Sequence, residues 1–240
     1  MKYAILGDIH ANLEALRAVL EDAATQDVGR YLCVGDIVGY NADPNECVKI
    51  VRDLDCVTVR GNHDHYVSEN DALGDLNPVA ANVVRWTRAE LGPDHLSYLS
   101  GLRLVQAVDG FTLVHSTLDM PEKWGYVFEV VEADASFNYQ TTAVCFHGHT
   151  HVPVLYEKAS GVRRSGYKCL KATMGKKYFI NVGSVGQPRD GDPRAAYVVY
   201  DGEGRDVELR RVRYDVTTAQ EKILAAGLPK ALAARLAVGK

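Results

Sequence analysis

Three short apolar runs open the chain, at positions 3–6, 31–34 and 57–59, and the stretches between them have the periodicity of helices. In the first interval Asn12 stands as a cap, and Leu13, Leu16, Val19, Leu20 and Ala23 recur on one helical face. In the second, Asp43 is placed to cap, Pro44 occupies the first helical position and Glu46 stands where a capping box has its acid. Strand and helix alternating at this spacing predict βαβ units and therefore parallel strands.

The rhythm changes in the second half. A helix is expected from Asn77-Pro78 to just before Gly92-Pro93, and hairpins after it. Asp109-Gly110 is a turn signal joining strands at 102–108 and 111–114, and further strands read at 142–146, 152–156, 178–182, 195–200 and 207–212. So many strands do not fit one parallel sheet. The fold class expected is α/β, a two-sheet β-sandwich flanked by helices in four layers, α-β-β-α. The tail from 217 onward reads as two short helices broken at Gly227-Leu228-Pro229. With 240 residues, 47% of them hydrophobic, the chain is expected to form one domain over 1–240, with 215–240 as a helical tail.

Composition narrows the function. A formal charge of -4 and the lack of a dense Lys/Arg run speak against a footprint for polymeric nucleic acid or an anionic membrane. The five cysteines, Cys33, Cys47, Cys56, Cys145 and Cys169, are odd in number and lack a C-x-x-C, so they suggest reduced packing residues. The start has too short an apolar run for a signal peptide and no stretch reaches membrane-spanning length, so a soluble, cytoplasmic protein is expected.

Five polar clusters each follow an apolar run: Asp8-Ile9-His10, Gly35-Asp36, Gly61-Asn62-His63-Asp64, His115 and Gly148-His149-Thr150-His151. Residues beyond the carboxyl ends of strands can converge on one crevice, even when they lie as far apart as positions 8 and 151. The i, i+2 spacing of Asp8/His10 and of His149/His151 lets both members of a pair point the same way from extended backbone, so that each pair could grip one ion. Carboxylate, imidazole and amide-oxygen donors together suit Mn, Fe, Zn or a similar divalent ion. Two ions roughly 3.5–4 Å apart would clamp a phosphoryl oxygen and turn a bound water into metal-bound hydroxide. Each cluster taken alone is more often a cap or turn than a ligand set; five in one order argue otherwise.

In that order the clusters resemble the calcineurin-like metallophosphoesterases, whose pattern is D-x-H, G-D-x-x-[DG], G-N-H-[DE], a lone H and G-H-x-H. The runs 35–40 with 43–46, and 181–190, are similar to a bacterial and archaeal subgroup related to diadenosine tetraphosphatases and YfcE-like phosphodiesterases. The resemblance implies the metallophosphoesterase fold and two divalent metal ions, manganese favoured. It implies that Asp8, His10, Asp36 and His151 hold one ion, that Asn62, His115 and His149 with bridging Asp36 hold the second, and that His63 is a general acid or phosphate contact oriented by Asp64. Gly39 stands where many members carry a second aspartate, so a hydrogen bond on that side is expected to be missing.

His147 shares strand parity with His149 and His151 but reads as a buried, hydrogen-bonded histidine outside the metal shell. His65 and His95 read as surface residues. Arg189 and Arg60 are candidate phosphate contacts, each balanced by a purely structural reading. Trp124, with Tyr126, is a candidate rim for stacking a nucleobase, against the reading of a core anchor. The tail helices suggest packing or a homo-oligomer contact. The function expected is hydrolysis of small phosphate esters or anhydrides: phosphodiester, dinucleoside polyphosphate or phosphomonoester, with a small phosphate-ester or nucleotide substrate. The alternatives are a non-catalytic scaffold of the same fold, a protein phosphatase, or a repair nuclease that would need a basic surface.

Overall fold

The computed structural model describes residues 1–69, 73 and 76–240. The first half runs β1 (Lys2–Leu6), α1 (Leu13–Ala24), β2 (Arg30–Cys33), α2 (Pro44–Asp53), β3 (Val57–Thr58), α3 (Asn62–Ser68), α4 (Pro78–Glu90), α5 (Pro93–Ser100), β4 (Val105–Val108) and β5 (Phe111–Val114). There follow α6 (Val130–Tyr139), β6 (Val144–His147), β7 (Val154–Lys158), β8 (Val162–Ser165), β9 (Cys169–Lys171), β10 (Lys177–Asn181), β11 (Ala195–Asp201), β12 (Asp206–Val212), α7 (Val216–Ala225) and α8 (Lys230–Leu236).

The strands form two six-stranded sheets, ordered β3-β2-β1-β11-β12-β9 and β4-β5-β6-β10-β7-β8. Within the first, β1, β2 and β3 run parallel; within the second, β5, β6 and β10 do. Alternation along buried strands feeds two layers at once. Tyr3 and Ile5 of β1 join Phe111, Phe146, Ile180 and Val198 between the sheets, whereas Ala4 and Leu6 face outward against Leu16 and Val19 of α1 and Val48 and Val51 of α2. On the far side Phe179 and Tyr156 pack on Ala133 and Phe137 of α6. The expected four-layer arrangement is thus present.

Several local expectations change. Asn12 does cap α1, accepting from the Ala15 amide, but Asp43 makes no cap bond; its Oδ2 accepts instead from Lys222 Nζ of α7 at 2.9 Å. The segment after Gly92-Pro93 forms α5 before the hairpin begins, and β4 is shorter than expected because 102–104 lie outside it. Both tail helices form as read. They bury Ile223, Leu228, Leu232 and Leu236 against Val83, Trp86 and Tyr40, which attaches the tail to the loop after β2. No helix among the described residues is long and apolar enough to cross a membrane.

Candidate metal centre

The loops that leave the parallel strands carry the polar clusters, and their backbones are unusual. Asp8, His10, Asp36, His149 and His151 all have positive φ, between 49° and 69°. Side chains rarely adopt this left-handed conformation, and such residues persist where surrounding contacts hold them, often at functional sites. Here a short ladder does so: the amides of Asp8, His10 and Ala11 donate to the carbonyls of Gly35, Asp36 and Ile37 at 3.0, 2.9 and 2.8 Å. The i, i+2 pairs therefore do not alternate from extended backbone. Nor do they each serve one ion, because His149 and His151 fall into different clusters.

Among the described residues, three buried groups of donors have ligand atoms within 4.8 Å of one another: Asp8, His10 and His151; His10, Asp36 and His63; and Asp36, His115 and His149. Asp36 joins them. Its Oδ2 lies 3.5 Å from His10 Nε2 and 3.5 Å from His115 Nε2. Its Oδ1 is held by the His63 amide at the start of α3, at 2.8 Å. Asn62 Oδ1 lies 3.1 Å from His115 Nε2, beside the second cluster.

Four imidazoles share one pattern of hydrogen bonding. His10 Nδ1, His151 Nδ1, His115 Nδ1 and His149 Nε2 face the carbonyls of Val38, Gln187, Val34 and Trp124 at 3.0, 2.6, 2.8 and 2.9 Å. Each carbonyl accepts a ring N–H, which fixes the tautomer and leaves the other ring nitrogen as a lone pair. Those lone pairs then face each other: His10 Nε2 is 3.0 Å from His151 Nε2, and His115 Nε2 is 3.1 Å from His149 Nδ1. Two lone pairs cannot hydrogen-bond to one another, and a shared cation would resolve the contact.

The charges agree. Burial raises the Asp36 carboxyl to about 8, and burial together with the Asp36 charge pushes Asp8 well above the usual carboxylate range. Burial holds His115 down at about 4 and keeps His10, His149 and His151 well below the usual imidazole range. No lysine or arginine among the described residues forms an ion pair with either aspartate. Neutral imidazoles and uncompensated carboxylates at this spacing fit divalent metal ions.

The bonds of Asp64 differ from the expected orientation of His63. Asp64 does not reach the His63 ring: its two oxygens accept from the amides of Asp36, Ile37, Val38 and Gly61 at 2.8 to 3.3 Å. It fastens the turn before α3 to the loop carrying Asp36. Burial, then the Asp36 charge, raises its carboxyl to about 8 while those amides oppose the shift. His63 stacks edge-on with His10 at 5.0 Å and against Tyr40 at 4.4 Å, and its buried Nδ1 has no hydrogen-bond partner among the described residues. Burial, then the Arg189 charge, lowers it to about 3. A Cβ at Gly39 would lie 2.5 Å from that Nδ1, so the glycine leaves the space that the His63 ring fills.

The substrate candidates divide. Arg60 is occupied structurally, donating to the carbonyls of Leu102 and Ser100 and pairing with Glu69, so it clips α3 to the end of α5 and has no donor fork to offer. Arg189 does reach the site: its guanidinium lies 5.5 Å from the centre of the Tyr40 ring, and its charge is felt by Asp8, Asp36, His10, His63 and His151. Trp124 is half-buried against His65 and His115, and its carbonyl faces His149 Nε2. The exposed aromatic surface is Tyr126, stacked on His149 at 4.2 Å, and Phe128, stacked on Tyr126. His147 lies outside the three clusters, stacked on Phe179 at 4.0 Å. His65 and His95, read as surface residues, are half-buried.

Residues at and after the end of β10 brace the ligand loops, a role not legible in the sequence. Ser184 Oγ donates to the Asp8 carbonyl at 2.8 Å, the Gln187 carbonyl orients His151, and Asn181 Nδ2 donates to the Gly148 carbonyl and Thr150 Oγ1. A Cβ on Gly186 would lie 1.9 Å from the Ile9 carbonyl oxygen, so only glycine admits that approach. The glycines at 183 and 186, directly after an apolar run, are the signal that could have revealed a backbone packed against the site.

Comparison with known proteins decides the family: residues 1–205 match the calcineurin-like phosphoesterase superfamily domain. The chain belongs to this family. It is 40% identical over 242 residues to an uncharacterized protein of Methanocaldococcus jannaschii, covering 99% of this chain and 98% of that one. Among solved structures, a metallophosphoesterase from Sphaerobacter thermophilus is 39% identical and superposes with a TM-score of 0.89 over 100% of this chain and 99% of its own. A hypothetical protein from Pyrococcus horikoshii OT3, 20% identical, shares the fold with a TM-score of 0.82 over 100% of this chain and 98% of its own. As a member of the family, this metallophosphoesterase is implied to be a metal-dependent phosphoester hydrolase, and the family match ends before α7 and α8.

Proposed function

We propose that this metallophosphoesterase binds two divalent metal ions and hydrolyses small phosphate esters or anhydrides. The observation that carries the reading is the single Asp36 oxygen 3.5 Å from an imidazole of each cluster. Asp8, His10, Asp36 and His151 would hold one ion, and Asp36, Asn62, His115 and His149 the other, with manganese the ion we favour for this mixed donor set. When bound, such a pair supplies an activated water and neutralises phosphoryl charge.

The chain's own residues do the remaining work. The four backbone carbonyls hold the imidazoles in the ligating tautomer, and the Asp64 clamp fixes Asp36 between the clusters. His63 is kept neutral by burial and offers an N–H to a phosphate oxygen next to the ions. Arg189 supplies a positive charge at the mouth of the site. Tyr126 and Phe128 offer stacking surface for a base, worth about 1–3 kcal/mol per base where such stacking occurs. A small nucleotide or diester is therefore the substrate class proposed, in place of a polymer. Five free cysteines, four of them buried, accord with a cytoplasmic protein.

The test is a substrate panel with the Mn-loaded protein: nitrophenyl esters, small cyclic and linear diesters, dinucleoside polyphosphates, a phosphopeptide and duplex DNA. Turnover of the small esters or anhydrides above the polymers is the expected result. Bound metal with no turnover on any ester would replace the hydrolase reading with that of a scaffold.

A further inference from the structure

Two guanidinium groups converge beside the metal centre without a carboxylate between them. Arg189 Nη2 and Nε donate to Gln187 Oε1 at 2.8 and 3.3 Å, and Arg235 Nη1 donates to the same oxygen at 3.4 Å. Neither arginine has an ion-pair partner among the described residues. Among the described residues the acceptor they share is a neutral amide oxygen, and the same side chain's Nε2 is a buried donor without an acceptor. The cluster thus holds an excess of donors and two like charges in a half-buried place. Burial and the nearby Arg189 charge both lower Arg235 from its usual value, which marks the repulsion.

The two arginines come from different parts of the molecule. Arg189 follows the loop that orients His151, and its amide donates to the His151 carbonyl. Arg235 lies on α8, beyond the residues that match the family domain. The tail reaches this position because its apolar face packs on Tyr40, the ring that also touches His10 and His63 and carries Arg189. Two forks that donate in fixed planes are suited to a phosphate with several charged oxygens.

We propose that Arg189 and Arg235 form an anion subsite for a second phosphate, the one adjoining the phosphate held at the metal centre, so that the site takes a phosphoanhydride chain in preference to a single ester. The C-terminal tail then sets specificity, while the metal loops supply the chemistry. The inference rests on the phosphoesterase reading for what occupies the neighbouring centre, and its test reads binding rather than turnover.

The experiment measures ADP and AMP binding to the Mn-loaded protein by calorimetry at one free Mn concentration, since the two nucleotides share a base and differ by one phosphate. ADP is expected to bind at least about tenfold tighter, in line with the strength of charge-assisted hydrogen bonds. Arg235→Gln should remove most of that gap and leave AMP where it was, and Arg235→Lys, which keeps the charge and loses the fork, should restore part of it. Equal affinities in the native protein, or an equal loss for both nucleotides in Arg235→Gln, overturns the proposal. The native comparison stands even where a variant disturbs α8. Failure of the protein to hydrolyse any ester, with the ADP gap intact, would remove the hydrolase reading and leave the subsite.

Discussion

Replacing Gly61 with alanine probes the join between the two clusters by geometry alone. The backbone at Gly61, with φ of -93°, suits any residue, so conformational strain does not enter. The added methyl would instead lie 2.1 Å from Asp36 Oδ1 and 2.4 Å from the Asp36 amide nitrogen, where 3.0 Å is the practical floor. Either the turn before α3 or the Asp36 carboxylate must give by most of an ångström. Metal–ligand distances tolerate about 0.2 Å, and disturbing what orients a ligand typically costs about 10–100-fold in metal affinity. Because Asp36 serves both clusters, both equivalents should weaken together. Overpacking should also cost about 1–3 kcal/mol in the metal-free protein, a fall in Tm of roughly 2–12 °C for a chain of this size. The assay is metal stoichiometry after dialysis against graded free Mn, with thermal melts of the stripped protein alongside. Gly161→Ala is the control, since nothing lies within 4 Å of a Cβ there. Two equivalents bound at native affinity in Gly61→Ala would show that the Gly61 turn does not hold Asp36 between the clusters.

His63→Asn should keep both metals and lose about 10–100-fold in rate, the loss of one hydrogen bond to a charged oxygen, equally for nitrophenyl and alkyl leaving groups; a defect confined to the alkyl ester would make His63 a general acid instead. pH should act on the metal-free protein through the carboxylates. Asp36 stays protonated in the fold up to about 8, far above its ordinary range, so the folded state binds more protons and stability falls as pH rises toward 8. The lowered imidazoles act oppositely, but only below about 6.5, the ordinary histidine value. The Tm of the stripped protein is therefore expected to drop between pH 6.5 and 8 and metal uptake at pH 7 to release protons; a flat Tm with no proton release contradicts the assignment. Arg60→Met should lower Tm by several degrees with turnover per bound metal unchanged, and a raised KM would return Arg60 to the substrate site.

Much of the fold was legible because burial writes its own periodicity. The runs at 3–6 and 31–34 are apolar on both faces, as strands covered on two sides must be, and Asn12 is a cap whose mechanism is local. All five strand-end clusters converge, because parallel strands deliver their carboxyl ends to one edge. What could not be read was set by long-range contact. The seven residues of α3 have no apolar stripe, and the helix is held by Asp64 bonding back across the chain to residues 36–38. Left-handed backbone at Asp8, His10, Asp36, His149 and His151 has no sequence mark when the residue is not glycine. Arg60 and Arg189 look alike in sequence, yet one meets the carbonyls at the end of α5 and the other an amide beside the metal centre. Arg235 lay in a tail whose apolar spacing spoke of packing or an oligomer contact.

Asp36 is proposed to stand between two metal ions. A crystal of the Mn-soaked protein measured at the manganese absorption edge tests it directly. Two anomalous peaks roughly 3.5–4 Å apart, one against Asp8, His10 and His151 and the other against Asn62, His115 and His149, with an Asp36 oxygen reaching both, are the predicted result. A single peak at full Mn occupancy, or two peaks that Asp36 does not connect, would contradict it.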